Sequence, residues 1–498
     1  MNLFVQYIKT KKMKKRFLFL SLSALLLAGA CKETTITDDG DGTETPTNPG
    51  NENVVEISGE ITSNTTWTSD KIYVLKGFVF VSNGATLTIE AGTIIKGDKA
   101  TKGTLTITRG SKINAIGTVE KPIVFTSALA AGARAHGDWG GLIILGKAPV
   151  NQGADVKIEG GLVGPSGKDE KNYIYYGGTD AADNSGTLKY VRIEFGGIPF
   201  SPDNEINGLT LGGVGSGTTL DYIQVYRSGD DAFEWFGGTV NAKHLLAIGT
   251  WDDDFDTDYG YSGNVQFAVA QRANAAADVS QSNAFESDNN GSGTNQTPKT
   301  SAVFSNVSVI GPISKDGFNP NANFQHGIQI RRNSSISVLN SVISGFPIGI
   351  YVDDTKVSTP ESTSKNVVDG NAVFANNLFY GTPVGIKTTA TTSIASQVES
   401  LLKSKNTFET KLFANNLFSA PYNFGKDFSS TPANPNFTLA TGSAAASGAE
   451  FTNAKVSGSF FEKVAYRGAF GTEDWTAGWA HFDPQSLNYT TPGKVTQN

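Results

Sequence analysis

Cysteine is almost absent from this chain: Cys31 is the only one in 498 residues. An intramolecular disulfide and a thiolate metal cluster are therefore both excluded. Histidine is nearly as scarce. His136, His244, His326 and His481 are scattered without ligand spacing, which argues against zinc. Charged residues make up only 17 %, and their balance is acidic, with a formal net charge of −7. The basic residues Lys9, Lys11, Lys12, Lys14, Lys15 and Arg16 all precede Cys31, so the remainder is more acidic still. Such a body lacks the basic face that phosphate neutralisation demands, and nucleic acid is not an expected partner. No Gly-x-Gly-x-x-Gly or Walker pattern opens a helix, and no nucleophile elbow is present. Helical periodicity is missing too, except over 393–404, with Ile394, Val398, Leu401 and Leu402.

What remains is glycine, 56 residues of it, between short runs of Val, Ile, Leu and Phe. Phrases such as Asn83-Gly-Ala-Thr-Leu-Thr-Ile-Glu-Ala-Gly-Thr93 alternate apolar and polar residues, the period of a half-buried strand. A longer period lies above this one. Asp230-Asp-Ala-Phe-Glu234 returns as Asp252-Asp-Asp-Phe-Asp256, a spacing of 22 residues, and a weaker copy reads Ser282-Asn-Ala-Phe-Glu286. A fixed period of this size marks a solenoid. Asn340–Ile350 also matches Asn376–Ile386, the longer offset absorbed by an insertion at 353–370. Stacking the copies predicts an inward column of Leu209, Phe233, Phe255, Phe285, Ile328, Ile350 and Ile386. The following residues, Thr210, Glu234, Asp256, Glu286, Gln329, Tyr351 and Lys387, face outward, placing exposed carboxylates in a vertical row. Asn376 and Asn415, near turns, are expected to belong to an asparagine ladder.

The N-terminus has a different character. Lys14, Lys15 and Arg16 precede an apolar run from Phe17 to Leu27, then Ala28-Gly-Ala-Cys31. A basic stretch, a short apolar run and small residues make a secretory signal, with Met13 the expected true start. The segment resembles the lipobox of bacterial lipoproteins, in which the cysteine is lipidated, palmitate being a typical acyl chain; Ala28 stands where that pattern usually has Leu. Residues 32–53 are mostly Thr, Asp, Gly, Pro and Asn and are expected to form a flexible tether. The acidic residues soon after Cys31 are similar to signals that send Bacteroidetes lipoproteins to the outer face of the outer membrane. The expected division is 1–30 signal peptide, 31–53 lipidated tether, 54–450 solenoid and 451–498 C-terminal cap and tail.

Several motifs in the body resemble a known architecture: Gly92–Gly97, Pro122–Ser127, Trp139–Gly146, Glu205–Gly215, Phe236–Asn241 and Tyr466–Gly471. They are similar to the single-stranded right-handed parallel β-helix, the pectin-lyase-like fold, and more narrowly to Bacteroidetes surface lipoproteins built on it. The resemblance implies an all-β solenoid with a C-terminal cap, to which Trp475 and Trp479 would contribute. It implies little about activity.

Candidate chemistry sits on the acidic repeat. Asp230, Asp231, Glu234, Asp252, Asp253, Asp254, Asp256 and Asp258 fall within 29 residues and two or three coils. Calcium takes six to eight oxygen ligands in a tolerant geometry, and stacked coils offer several. Alternatively, the aspartates accept backbone N–H bonds at turns and their surplus charge is solvated. Trp235 and Trp251 flank the phrases as candidate sugar platforms, although a strand aromatic is more often packed. Related β-helices use calcium to neutralise uronates, so a calcium-dependent polysaccharide lyase is one reading, with Arg192, Arg227, Arg272, Arg331 and Arg332 available as bases, and a hydrolase working through two carboxylates is another. The preferred reading is an outer-membrane-anchored lipoprotein, facing the exterior, that binds an extracellular glycan or serves an outer-membrane complex such as a TonB-dependent transporter.

Overall fold

A computed structural model describes residues 53–201, 204–272, 276–411, 417–422 and 435–495. The leader, Cys31, the tether and Asn415 lie outside these residues. Among the described residues twenty-six strands join in one sheet, each bonded in parallel to its equivalent one coil away. The chain is a right-handed parallel β-helix, with three strand ladders to a coil.

The first ladder holds the acidic repeat. Through it run Thr104–Ile107, Gly141–Leu145, Leu209–Gly212, Phe233–Phe236, Phe255–Asp258, Phe285–Ser287, His326–Ile330, Ile348–Val352 and Val384–Thr388. Leu209 pairs with Phe233, Phe233 with Phe255 and Phe255 with Phe285, while Ile328 pairs with Ile350 and Ile350 with Ile386. The column expected from the 22-residue spacing is therefore the observed one. A one-residue slip would turn every carboxylate inward and every phenylalanine out, so burial of one face fixes this register.

The other two ladders run through single long strands, such as Gly186–Glu194, Thr219–Tyr226, Asn241–Ile248 and Asn264–Gln271. Each bends mid-strand at a residue in left-handed conformation. Tyr190, Tyr222, His244, Phe267, Asn306, Asn340 and Asn376 all have φ between 51° and 59°. That conformation costs a residue with a Cβ about 1–2 kcal/mol. Aromatic stacking offsets it here, with ring centroids 4.5 Å apart for Tyr190–Tyr222, 4.1 Å for Tyr222–His244 and 5.4 Å for His244–Phe267. Asn376 thus does belong to an asparagine column, with Asn306 and Asn340.

The helical period at 393–404 becomes the helix Thr392–Lys405, and the insertion at 353–370 contains a second helix, Ser362–Val368. The parallel ladders reach Thr407–Glu409. Beyond them, among the described residues, Phe418–Ala420 and Asn436–Leu439 pair antiparallel. Alternating Phe437 and Leu439 read as strand in either direction, and orientation is set by the partner alone.

The largest departure concerns the C-terminal segment, expected to close the end of the solenoid. It runs back along the side instead. Gly468 N–H donates to Asn340 O at 2.8 Å, Trp479 sits edge-on to Tyr190 and Tyr222, and Leu487, Tyr489 and Val495 pack on Ile72, Ile94 and Val124 of the first coils. Amide side chains fasten this strap. Gln266 donates to Glu462 O at 2.8 Å and accepts from Glu462 N at 2.8 Å; Gln224 treats His481 the same way, and Asn340 treats Glu450. Each amide presents one donor and one acceptor, as a neighbouring strand would.

Candidate metal centre on the acidic ladder

Two columns build the site. The first is Asn207, Asp231, Asp253, Asn283 and His326, just before the strands of the ladder. Asp231 N–H donates to Asn207 Oδ1 (3.2 Å), Asp253 N–H to Asp231 Oδ1 (2.7 Å), Asn283 N–H to Asp253 Oδ1, and His326 N–H to Asn283 Oδ1 (3.2 Å). These side chains cap the coil below, as the alternative reading of the aspartates requires. Only one oxygen of each carboxylate is committed to that backbone bond. The second column is Thr210, Glu234, Asp256, Glu286 and Gln329, in register and about 4.8 Å apart.

The carboxylates are not exposed, contrary to expectation. Asp231 is 7 %, Glu234 6 % and Asp253 4 % accessible. An insertion after Gly146 and the hairpin Pro199–Ser201/Asn204–Glu205 bring further acids beside them: Glu159, whose Oε1 accepts from Asn207 at 3.5 Å, and Glu205. Burial, then crowding by neighbouring carboxylates, pushes Asp230, Asp231, Glu234, Asp253, Asp256 and Asp258 well above the usual range. Burial also lifts Asp252 to about 6 and Glu286 to about 7, the latter against the opposing pull of Arg331. Arg331 pairs with Glu286 and with Asp288 (2.9 Å), and Arg332 with Asp288 (2.5 Å).

Within this cluster three sets of oxygens converge, each within 4.8 Å: Asp230, Asp231 and Asp252; Asp231, Glu234 and Asp256; and Asp253, Asp256 and Glu286. Asp231 and Asp256 are shared, so the sets form one chain of sites. Asp252 Oδ1 and Asp256 Oδ1 are buried with no hydrogen-bond partner. Oxygen-only donors, close approach and orphaned acceptors fit a hard divalent cation such as calcium.

Other expected site residues fall elsewhere. Asp254 lies outside the three sets and forms an ion pair with Arg272 at 3.2 Å, both side chains fully buried. Asp258 lies outside the three sets, near Asp288 and the two arginines. Trp235 is wholly buried, stacked on Tyr261 at 5.2 Å and on Phe233 at 6.0 Å, and is no sugar platform. Its parity explains this: Phe233 faces in, Glu234 out, Trp235 in. Of the proposed bases, Arg192 and Arg272 are buried in pairs with Glu194 and Asp254.

Trp251 is 39 % exposed. It borders a cavity of about 370 Å³ with His136, Asp230, Asp252, Asp278 and Ser280, and its Nε1 donates to Asp278 Oδ1 at 3.1 Å. Burial holds His136 down at about 4, so it is neutral there. Sequence reasoning placed Glu286 in the outward column without counting it a ligand. It missed Glu159 and Glu205, which arrive from insertions with no repeat of their own.

A family model described as a pectate-lyase-like β-helix domain matches residues 59–480. Among solved structures, the crystal structure of the Dettilon tailspike protein matches with 11 % identity and a TM-score of 0.22, covering 66 % of this chain and 62 % of its own. The chain thus spans about three fifths of that protein's length. A search of curated protein sequences found no match.

Proposed function

The chain belongs to the pectate-lyase-like β-helix family, and from that premise we propose that it is a calcium-holding, glycan-binding protein. The observation that carries this reading is the chain of three carboxylate sets sharing Asp231 and Asp256, with Asp252 Oδ1 and Asp256 Oδ1 buried and unpartnered. Asp230, Asp231, Glu234, Asp252, Asp253, Asp256 and Glu286 would hold the ions, whose charge relieves the repulsion among them. Ions at Asp230 and Asp252 would border the cavity beside Trp251. A sugar ring stacked on that indole would meet the ion through its hydroxyl or carboxylate oxygens.

Calorimetric titration with calcium tests the first part. Heat of binding and a raised melting temperature are expected, both lost in the double variant Asp253→Asn/Asp256→Asn. No shift at millimolar calcium would end the reading, since binding to the folded state alone must stabilise it. Four of the five arginines offered as bases for the lyase alternative are engaged by carboxylates, Arg192 by Glu194, Arg272 by Asp254, and Arg331 and Arg332 by Glu286 and Asp288.

Anchoring through Cys31 at the outer membrane, facing the exterior, is part of the same proposal. It is supported by the basic and apolar leader and by the polar tether. A Cys31→Ala protein released from membranes, against a retained parent, is the expected result. Pull-down from intact outer membranes tests for a transporter complex of the TonB-dependent kind.

A further inference from the structure

A second cavity, of about 730 Å³, opens at the N-terminal coils and has the opposite character. Arg109, Lys147, Lys168 and Lys171 line it, with Glu60 the one acid. In an acidic chain, four cations around one cavity are a concentration. Glu60 is already engaged, accepting from Tyr173 Oη at 2.7 Å and from Ser82 Oγ at 3.4 Å. Lys171 pairs with Asp155 at 3.2 Å. The ammonium groups of Lys147 and Lys168 pair with no carboxylate among the described residues, and both side chains are exposed.

The wall of this cavity is held in place. The Arg109 guanidinium donates to Ala154 O (3.0 Å), Gly177 O (3.1 Å) and Lys171 O (3.1 Å), and pairs with Asp155 at 2.8 Å. One side chain of a coil turn thereby fixes three points of the insertion that carries Lys168 and Lys171. Small neutral groups also line it: the hydroxyl of Thr62 and the amides of Asn83 and Asn172, with Ser82 and Thr108 buried and their hydroxyls donating to Glu60 and to Val81 O. The lone aromatic, Tyr173, is buried with its hydroxyl committed to Glu60, which leaves no platform for a nucleobase.

We propose that this cavity is a binding subsite for an anionic oligosaccharide, with Lys147 and Lys168 meeting its acidic groups and the Thr62 hydroxyl and the amides meeting its sugar hydroxyls. The size lies within the range of small-ligand pockets. Free carboxylates and sulfate half-esters share the anionic chemistry these amines recognise. The inference takes its substrate class from the glycan reading, and calcium plays no part in it.

Calorimetry of the full chain in EDTA provides the test, with three probes: oligogalacturonate, a sulfated oligosaccharide and a neutral oligosaccharide of equal length. At least one anionic probe should bind, more weakly as salt rises, and the neutral probe should not. Lys147→Gln/Lys168→Gln should lower the affinity about tenfold or more with no change in melting temperature. Whichever anionic probe binds tighter identifies the acid group. Unchanged affinity in the double variant, equal binding of the neutral probe, or no binding in EDTA would each overturn the subsite. Binding that needs calcium and disappears in Asp253→Asn/Asp256→Asn would then leave the acidic-ladder reading standing. No binding with or without calcium would overturn the subsite and the glycan-binding part of the acidic-ladder reading, leaving calcium binding to its own titration.

Discussion

The strap-covered side and the acidic ladder are made from the same coils yet treat polar groups in opposite ways. Under the strap, outward amides find a donor and an acceptor each: Gln224 on His481, Gln266 on Glu462, Asn340 on Glu450. On the acidic ladder, carboxylates crowd one another, and Asp252 and Asp256 each keep a buried oxygen with no partner. Buried polar groups are nearly always satisfied. What separates the two sides is the clustering: orphaned atoms under the strap, such as Glu194 Oε2, stand beside an arginine, whereas those of Asp252 and Asp256 stand among other carboxylates.

The largest expected effect tests the architectural half. Trp479 is fully buried against Tyr190 and Tyr222. Trp479→Ala should cost about 3–5 kcal/mol, read as a lower urea midpoint. A near-neutral result would mean that the strap rests on the coils without bracing them, and the contrast between the two sides would fail.

Calcium comes next. At a concentration one hundred times the Kd it should add about 2.7 kcal/mol. The pH dependence gives an independent check. Without calcium, Asp252 at about 6 and Glu286 at about 7 lie above their unfolded values of 3.8 and 4.5. The folded state then binds more protons than the unfolded one between about pH 4 and 7, so stability is full below that window and is lost as pH rises through 6 to 7. With calcium the ligands must be ionised, so the stabilisation by calcium should grow with pH over the same window. Melting curves from pH 4 to 8 with calcium and with EDTA should therefore diverge as pH rises. Parallel curves would mean the acids are satisfied by protons alone.

A smaller effect returns to the strap. Gln266→Ala leaves the Glu462 N–H and C=O without their partners and should cost about 1–2 kcal/mol. Gln266→Glu keeps the acceptor but loses the donor, and an intermediate midpoint is expected. Equal loss in both would assign the role to packing rather than to strand mimicry.

How much of this was readable from residues follows the same division. Period sufficed for the acidic ladder because Phe233 and Phe255, or Asp231 and Asp253, are 22 positions apart and stack one coil apart. Period failed where a partner comes from far along the chain. Gln224 and His481 are 257 residues apart, and Gln266 and Glu462 are 196 apart, with no shared pattern between them. Burial of the acids escaped for the same reason, since the covering segments around Glu159 and Glu205 are insertions outside the repeat. Asp254 misled because composition cannot separate a ligand from a carboxylate turned toward Arg272. Trp235 was within reach, since the alternation that put Phe233 inside also puts it inside.

The smallest expected change in stability is the most informative about function. Trp251 was grouped with Trp235 as a sugar platform, and the two prove opposite in burial, 39 % against 0 %. Truncating an exposed aromatic that braces no core should alter stability by no more than about 0.5 kcal/mol. Trp251→Ala should therefore melt with the parent while its calcium-dependent affinity for a glycan falls, because stacking area is lost and the ion sites remain. Trp251→Phe should recover part of that affinity, keeping a ring face without the Nε1 donation to Asp278. If both variants bind as the parent does, the indole is only the lid of an acidic cavity. If Trp251→Ala also loses the calcium-induced rise in melting temperature, the ring belongs with the ion sites, and the boundary between architecture and binding surface moves by one side chain.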